Sequence, residues 1–104
     1  MVMETQVLDN VGRIIMTGRF DFLVHRDFKA AYTRLFDEAV VRRIEIEMSR
    51  LEYLDSAALG MLMLLNERAK LVEKSITLVN PSGIVSQVLE VANFNRLFTI
   101  TRDA

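Results

Sequence analysis

Apolar Met3, Val7 and Leu8 bracket polar Glu4, Thr5 and Gln6 in a stretch, Met3 to Leu8, suited to a short edge strand, and the turn formers of Asp9-Asn10-Val11-Gly12 separate it from the apolar run Ile14-Ile15-Met16 within Arg13 to Thr17. A hairpin is predicted at the start of the chain. Gly18 is expected to release the second strand, with Arg19-Phe20-Asp21 as a polar and aromatic connection. From Val24 the apolar spacing lengthens to three and four, so that Val24, Phe28, Ala31, Leu35 and Ala39 line one helical face while Arg26, Lys29, Thr33 and Arg34 point away. Val40 and Val41 favour leaving that helix. Ile44, Ile46 and Met48 then alternate with Glu45 and Glu47 in a third strand.

Ser49 to Leu54 reads as a connection, tied to the core by Leu51 and Leu54, that leads into a strand-to-helix junction at Leu54 to Leu65. The second helix carries the stripe Ala58, Leu62, Leu65, Ala69 and Val72, broadened by Met61, Leu64 and Leu71, with Asn66, Glu67, Lys70 and Lys74 on its polar side. Met63 falls in the polar sector and is a candidate exposed apolar contact. Ser75 to Val79 alternates as a fourth strand. Asn80-Pro81-Ser82-Gly83 breaks it, and Asn80 or Ser82 is suited to satisfy the first amides of a short helix that covers the sheet through Ile84, Val85, Val88, Leu89 and Ala92. Leu97 to Ile100 is the expected last strand, and Thr101 to Ala104 a frayed, flexible end.

This order predicts an α/β fold: a mixed, largely parallel five-stranded sheet with an antiparallel N-terminal edge and helices chiefly on one face. Glu45 and Glu47 place charge on the other face, which is therefore expected to be partly wet. With 104 residues, 51% of them hydrophobic, residues 1–104 suffice for one core and are read as a single domain.

Thirteen basic residues oppose fourteen acidic ones, for a formal net charge of −1, so the general electrostatic attraction of a nucleic-acid binder is missing and no direct contact with DNA is expected. No cysteine is present, which excludes disulfides, thiolate catalysis and cysteine-ligated metals. The start M-V-M-E-T-Q lacks the basic and apolar regions of a secretion signal, and no apolar run is long enough to span a bilayer. A soluble cytoplasmic protein without membrane attachment is expected.

The chemistry concentrates at the junction. Asp55 and Ser56 both qualify as the N-cap of the helix that follows. A phosphate on Ser56 would add about −1.5 to −2 charges beside the positive end of that helix and beside Asp55. Its bulk and hydration would obstruct a partner without unfolding the domain. Gly60 reduces bulk on the early helix, and both partner approach and simple packing tolerance remain open for it. Asp21 is either a turn-capping residue or a member of the functional end of the sheet. Glu45 and Glu47 superficially suggest an acid pair, but alternation also places ordinary solvated charges there.

The motifs G-R-F-D at Gly18 to Asp21 and I-E-I-E-M-S-R-L-E-Y-L-D-S-A-A-L-G-M-L at Ile44 to Leu62 resemble the STAS domain family, specifically bacterial anti-sigma-factor antagonists. I-T-L-V-N-P at Ile76 to Pro81 and N-R-L-F-T-I at Asn95 to Ile100 add weaker matches in the same order. The resemblance implies a STAS-like sheet and a role in partner switching, in which Ser56 corresponds to the serine phosphorylated by an anti-sigma kinase, Asp55 to the acidic residue before it, and Asp21 to an acidic position near the partner surface. It further implies that the unmodified protein binds an anti-sigma factor of the serine-kinase type and frees a sigma factor, and that a cognate phosphatase reverses the block. ATP and magnesium belong to the partner kinase, and no cofactor is implied in this chain. Many family members carry D-S-S/T-G-L-G where this chain has Asp55-Ser56-Ala57-Ala58-Leu59-Gly60. Ala57 removes a second hydroxyl and points to Ser56, while Ala58 replaces a flexible glycine with a better helix former. Together with Gly60 and Met63 from the helix pattern, the expected partner-binding set is Asp21, Asp55, Ser56, Ala57, Gly60 and Met63.

Three rivals compete. A self-contained enzyme would need Ser56 activated by a base, but His25 is the only histidine and no His–acid set accompanies it; a surface or capping role suits His25 better. A nucleotide sensor lacks a Gly-rich loop followed by Lys and Ser/Thr. An interaction scaffold insensitive to phosphorylation would use the same surface without the switch.

Overall fold

The structure, a computed structural model, describes residues 1–103. Strand β1 (Val2–Leu8) pairs antiparallel with β2 (Val11–Phe20), closing with Leu8 opposite Val11 across a turn in which Asp9 takes φ 55°. β3 (Arg43–Leu54), β4 (Ser75–Val79) and β5 (Thr99–Thr101) then add in parallel, giving the sheet order β1-β2-β3-β4-β5. Helix α1 (His25–Phe36) links β2 to β3, α2 (Ser56–Leu71) links β3 to β4, and α3 (Gly83–Val91) links β4 to β5. Each crossover steps the same way across the sheet, so the right-handed rule puts all three helices on one face. The expected mixed, largely parallel sheet with an antiparallel edge is the one formed.

The core lies between that face and the helices. Ile14, Met16, Ile44, Ile46, Met48 and Leu78 on the strands are sealed by Phe28, Leu35, Leu62, Leu65 and Leu89 on the helices. Gly12 makes room for this packing, because a Cβ there would lie 2.9 Å from Leu35 Cδ2 and 3.3 Å from Val41 Cγ1.

On the opposite face Glu45 accepts from Arg13 at 2.8 Å and from Arg43 at 3.1 Å. Hydrogen bonding to Glu45 is the leading cause that holds the Arg13 guanidinium above its ordinary value. Glu47, expected to be a solvated charge, is instead only 8% exposed. Its carboxylate accepts from the Ser49 N–H at 3.2 Å and from Asn80 Nδ2 at 3.3 and 3.4 Å. Asn80, with φ 59°, thus serves Glu47 and not the first turn of α3, and Ser82 caps α3 without a side-chain bond.

Several boundaries differ from expectation. α1 ends at Phe36 because the Asp37, Glu38 and Val41 N–H groups turn back to Thr33, Leu35 and Glu38, which buries Val41 and leaves Ala39 exposed. β2 does not stop at Thr17, nor does Ser49 to Leu54 form a loose connection: the two strands stay paired to Phe20↔Leu54 by absorbing register shifts at Ile15/Thr17 and Gly18/Arg19, with Gly18 at φ 105°. Val72, Leu64 and Ile84, placed in the core by their spacing, are exposed. Leu97 precedes β5, since its N–H bonds back to Phe94. Of the terminal stretch 101–104, Thr101 ends β5 and the Asp103 N–H donates to Asn80 Oδ1 at 2.8 Å, while Ala104 lies outside the described residues.

Candidate functional site

Parallel strands β2 and β3 end side by side, with Phe20 opposite Leu54. The next residue on each is an aspartate. Asp21 is extended and caps a 3-10 turn over Phe22–Val24, its Oδ1 accepting the Leu23 N–H at 3.0 Å. Asp55 is likewise extended and caps α2, its Oδ1 accepting the Ala58 N–H at 2.9 Å while its carbonyl accepts from Leu59 at 3.1 Å. The Asp55 N–H donates to the Phe20 carbonyl at 3.4 Å, which ties the two capped ends together. Between Asp21 and its turn role there is thus no competition: it caps, and it stands at the same sheet end as Asp55.

Ser56 is the first residue of α2 and is exposed. With the Asp55 and Ala58 N–H groups taken, those of Ser56 and Ala57 are the unspent donors of the first turn among the described residues. They lie where the helix dipole is positive. The Ser56 side chain is thus an exposed hydroxyl at the positive end of the α2 dipole, next in sequence to the capping Asp55.

Along α2 the exposed residues Ser56, Gly60, Met63 and Glu67 follow at intervals of four, three and four, forming one stripe. Met63 is 45% exposed, and a Cβ on Gly60 would meet nothing within 4 Å. Internal packing therefore does not require the glycine. Ala57 is half-buried beside the stripe, whereas Ala58 is fully buried, so the departure from the family glycine falls on the core side of the helix.

Two surfaces were missed by periodicity. Phe22 and Leu23, 62% and 86% exposed, stand beside Asp21, with the Phe22 ring stacked on His25 at 4.7 Å; an apolar pair off the helical stripe and next to an acidic turn residue was the available signal. Leu59 of α2, Ile84, Val88 and Val91 of α3 and its C-cap Ala92 border an apolar groove of about 340 Å³. Nothing in their order separates that groove from ordinary sheet-facing positions. Arg19 lies over the Tyr53 ring at 4.1 Å at the same end of the sheet.

His25 is exposed, and its Nδ1 lies 3.0 Å from the Phe22 carbonyl oxygen. Among the described residues no group of three or more His, Cys, Asp or Glu side chains is arranged to hold a metal, and no helix is long and apolar enough to cross a membrane.

Residues 3–100 match the family model described as Mlab, STAS domain. A STAS-domain-containing protein of Pseudomonas aeruginosa (strain UCBPP-PA14) is 42% identical over 88 residues, 85% of each chain. A putative anti-sigma factor antagonist from Thermotoga maritima shares the fold at a TM-score of 0.84 and 20% identity, over 98% of this chain and 86% of that one. The Bacillus cell fate determinant SpoIIAA in its phosphorylated form superposes with a TM-score of 0.75 and 17% identity, over 99% of this chain and 92% of its own. The chain belongs to the STAS domain family, whose fold bacterial anti-sigma-factor antagonists also carry.

Proposed function

We propose that this STAS domain is a phosphorylation-controlled partner switch. Unmodified, it binds an anti-sigma factor of the serine-kinase type and so releases a sigma factor. Phosphorylation of Ser56 by that partner blocks the complex, and a serine phosphatase restores it. The kinase supplies the catalysis, ATP and magnesium; this chain supplies the acceptor hydroxyl and the docking surface. Such a role places the protein in the cytoplasm.

The observation that carries the reading is the exposed Ser56 at the first position of α2, directly after an aspartate whose carboxylate is already engaged as the cap. Phosphate there would be tolerated by the helix end, so the fold persists while the surface changes charge and size. SpoIIAA, which has this fold in both unphosphorylated and phosphorylated forms, supports the idea that such a domain accepts the modification intact. In this reading Ala57, Gly60 and Met63 form the contact surface along α2, with Asp21 and Asp55 at its acidic edge.

The test is capture from native cytosol on immobilised unmodified, Ser56→Ala, Ser56→Asp and Ser56-phosphorylated protein, with retained proteins identified by mass spectrometry. An anti-sigma factor retained by the first two and lost from the phosphorylated form is expected. Equal retention on all four would show a scaffold insensitive to phosphorylation, and retention of no sigma regulator would overturn the assignment.

A further inference from the structure

We propose that β1 is a self-association edge, which pairs antiparallel with β1 of a second copy about a twofold axis through Thr5. β1 ends the sheet, with β2 its only neighbour among the described residues, and its seven residues pair with β2 without a register shift. Edge strands are commonly protected by proline, lysine or a bulge, and Val2–Leu8 has none of these. Val2, Val7 and Leu8 remain 55%, 45% and 75% exposed.

The sequence of the edge selects its occupant. About Thr5, a second copy sets Thr5 opposite Thr5, Glu4 opposite Gln6, Met3 opposite Val7 and Val2 opposite Leu8. Apolar residues meet apolar residues, each carboxylate meets an amide, and no like charges face one another. Shifting the axis to Glu4 brings two carboxylates together. Shifting it to Gln6 puts each Glu4 against an apolar Leu8, and a parallel in-register pairing again aligns the glutamates. In the favoured register the two sheets join into one of ten strands, and α2, which departs from β3 two strands away, keeps its exposed stripe free.

The absence of cysteine makes the register directly readable. Thr5→Cys is expected to form a disulfide-linked dimer under mild oxidation. Val2→Cys alone is not, because its counterpart sits six residues, about 20 Å, along the partner strand. A mixture of Val2→Cys and Leu8→Cys proteins is expected to cross-link as the mixed dimer, which tests the same axis without touching Thr5. In sedimentation equilibrium the wild-type chain is expected to dimerise with concentration, Gln6→Glu to weaken the dimer about tenfold, and Glu4→Lys with Gln6→Glu to restore it. Circular dichroism checks that each variant folds. Wild-type protein that stays monomeric to millimolar concentration, or Val2→Cys alone cross-linking as well as Thr5→Cys, overturns the proposal.

Discussion

The Asp55 carboxylate accepts the Ala58 N–H at 2.9 Å, so the residue before Ser56 is committed to starting α2 and leaves the serine hydroxyl outside the cap. Asp55→Ala is therefore expected to lower stability by about 0.5–2 kcal/mol, and Asp55→Asn by much less, since asparagine caps comparably. Urea denaturation monitored by circular dichroism checks both. A similar loss for the two would mean that charge, rather than the cap bond, is what Asp55 contributes.

Gly60 separates stability from recognition. With open space at its Cβ, Gly60→Ala is expected to stabilise the isolated protein by about 0.5–1 kcal/mol through helix propensity. The same change is expected to weaken the partner complex by crowding the stripe between Ser56 and Met63. Thermal unfolding and calorimetric titration read the two effects separately.

Gly18 behaves oppositely. At φ 105° it allows β2 to take its second register shift, and Gly18→Ala is expected to cost about 1–3 kcal/mol although its Cβ would meet nothing closer than 3.6 Å. A urea midpoint unchanged from wild type would contradict that account of the bulge.

Asn80 links the open face of the sheet to the end of the chain. Asn80→Ala removes bonds to the buried Glu47 carboxylate and to Asp103, and is expected to destabilise by about 1–3 kcal/mol. Hydrogen exchange is expected to rise at Asp103, whose N–H then loses its acceptor.

The sequence made the layer order legible because the spacing of its apolar residues changes between Val24, Ile44 and Ala58, and those positions face the core. The helix start at Leu54 to Leu65 was legible too, but Asp55 and Ser56 both qualified as its cap, and only the extended backbone of Asp55 and its bond from the Ala58 N–H decide between them. Glu47 was not: alternation assigns it to the open face, but its charge is accommodated there by the Ser49 N–H and by Asn80, 33 residues away, a pairing invisible in the local pattern. The full length of β3 was hidden for a related reason. Pairing with β2 across two register shifts holds Ser49 to Leu54 extended, and no local pattern announces a bulge. The neighbourhood of Asp21, with Phe22 and Leu23 exposed, also emerges only when the ends of β2 and β3 are brought together.

Met63 lies in the proposed docking stripe, seven residues along α2 from Ser56. Met63→Asp is expected to weaken binding of the unmodified protein by about tenfold or more while leaving stability within about 0.5 kcal/mol, as its side chain is not part of the core. Affinity unchanged by this substitution would exclude the middle of α2 from the docking surface.

The decisive measurement is the affinity of purified protein for the anti-sigma factor proposed as its partner, before and after stoichiometric phosphorylation of Ser56, at one ionic strength and with folding verified. A loss of at least about tenfold, reversed by phosphatase, is predicted from the added charge and bulk at the first turn of α2. An equal affinity for the two forms would contradict the switch.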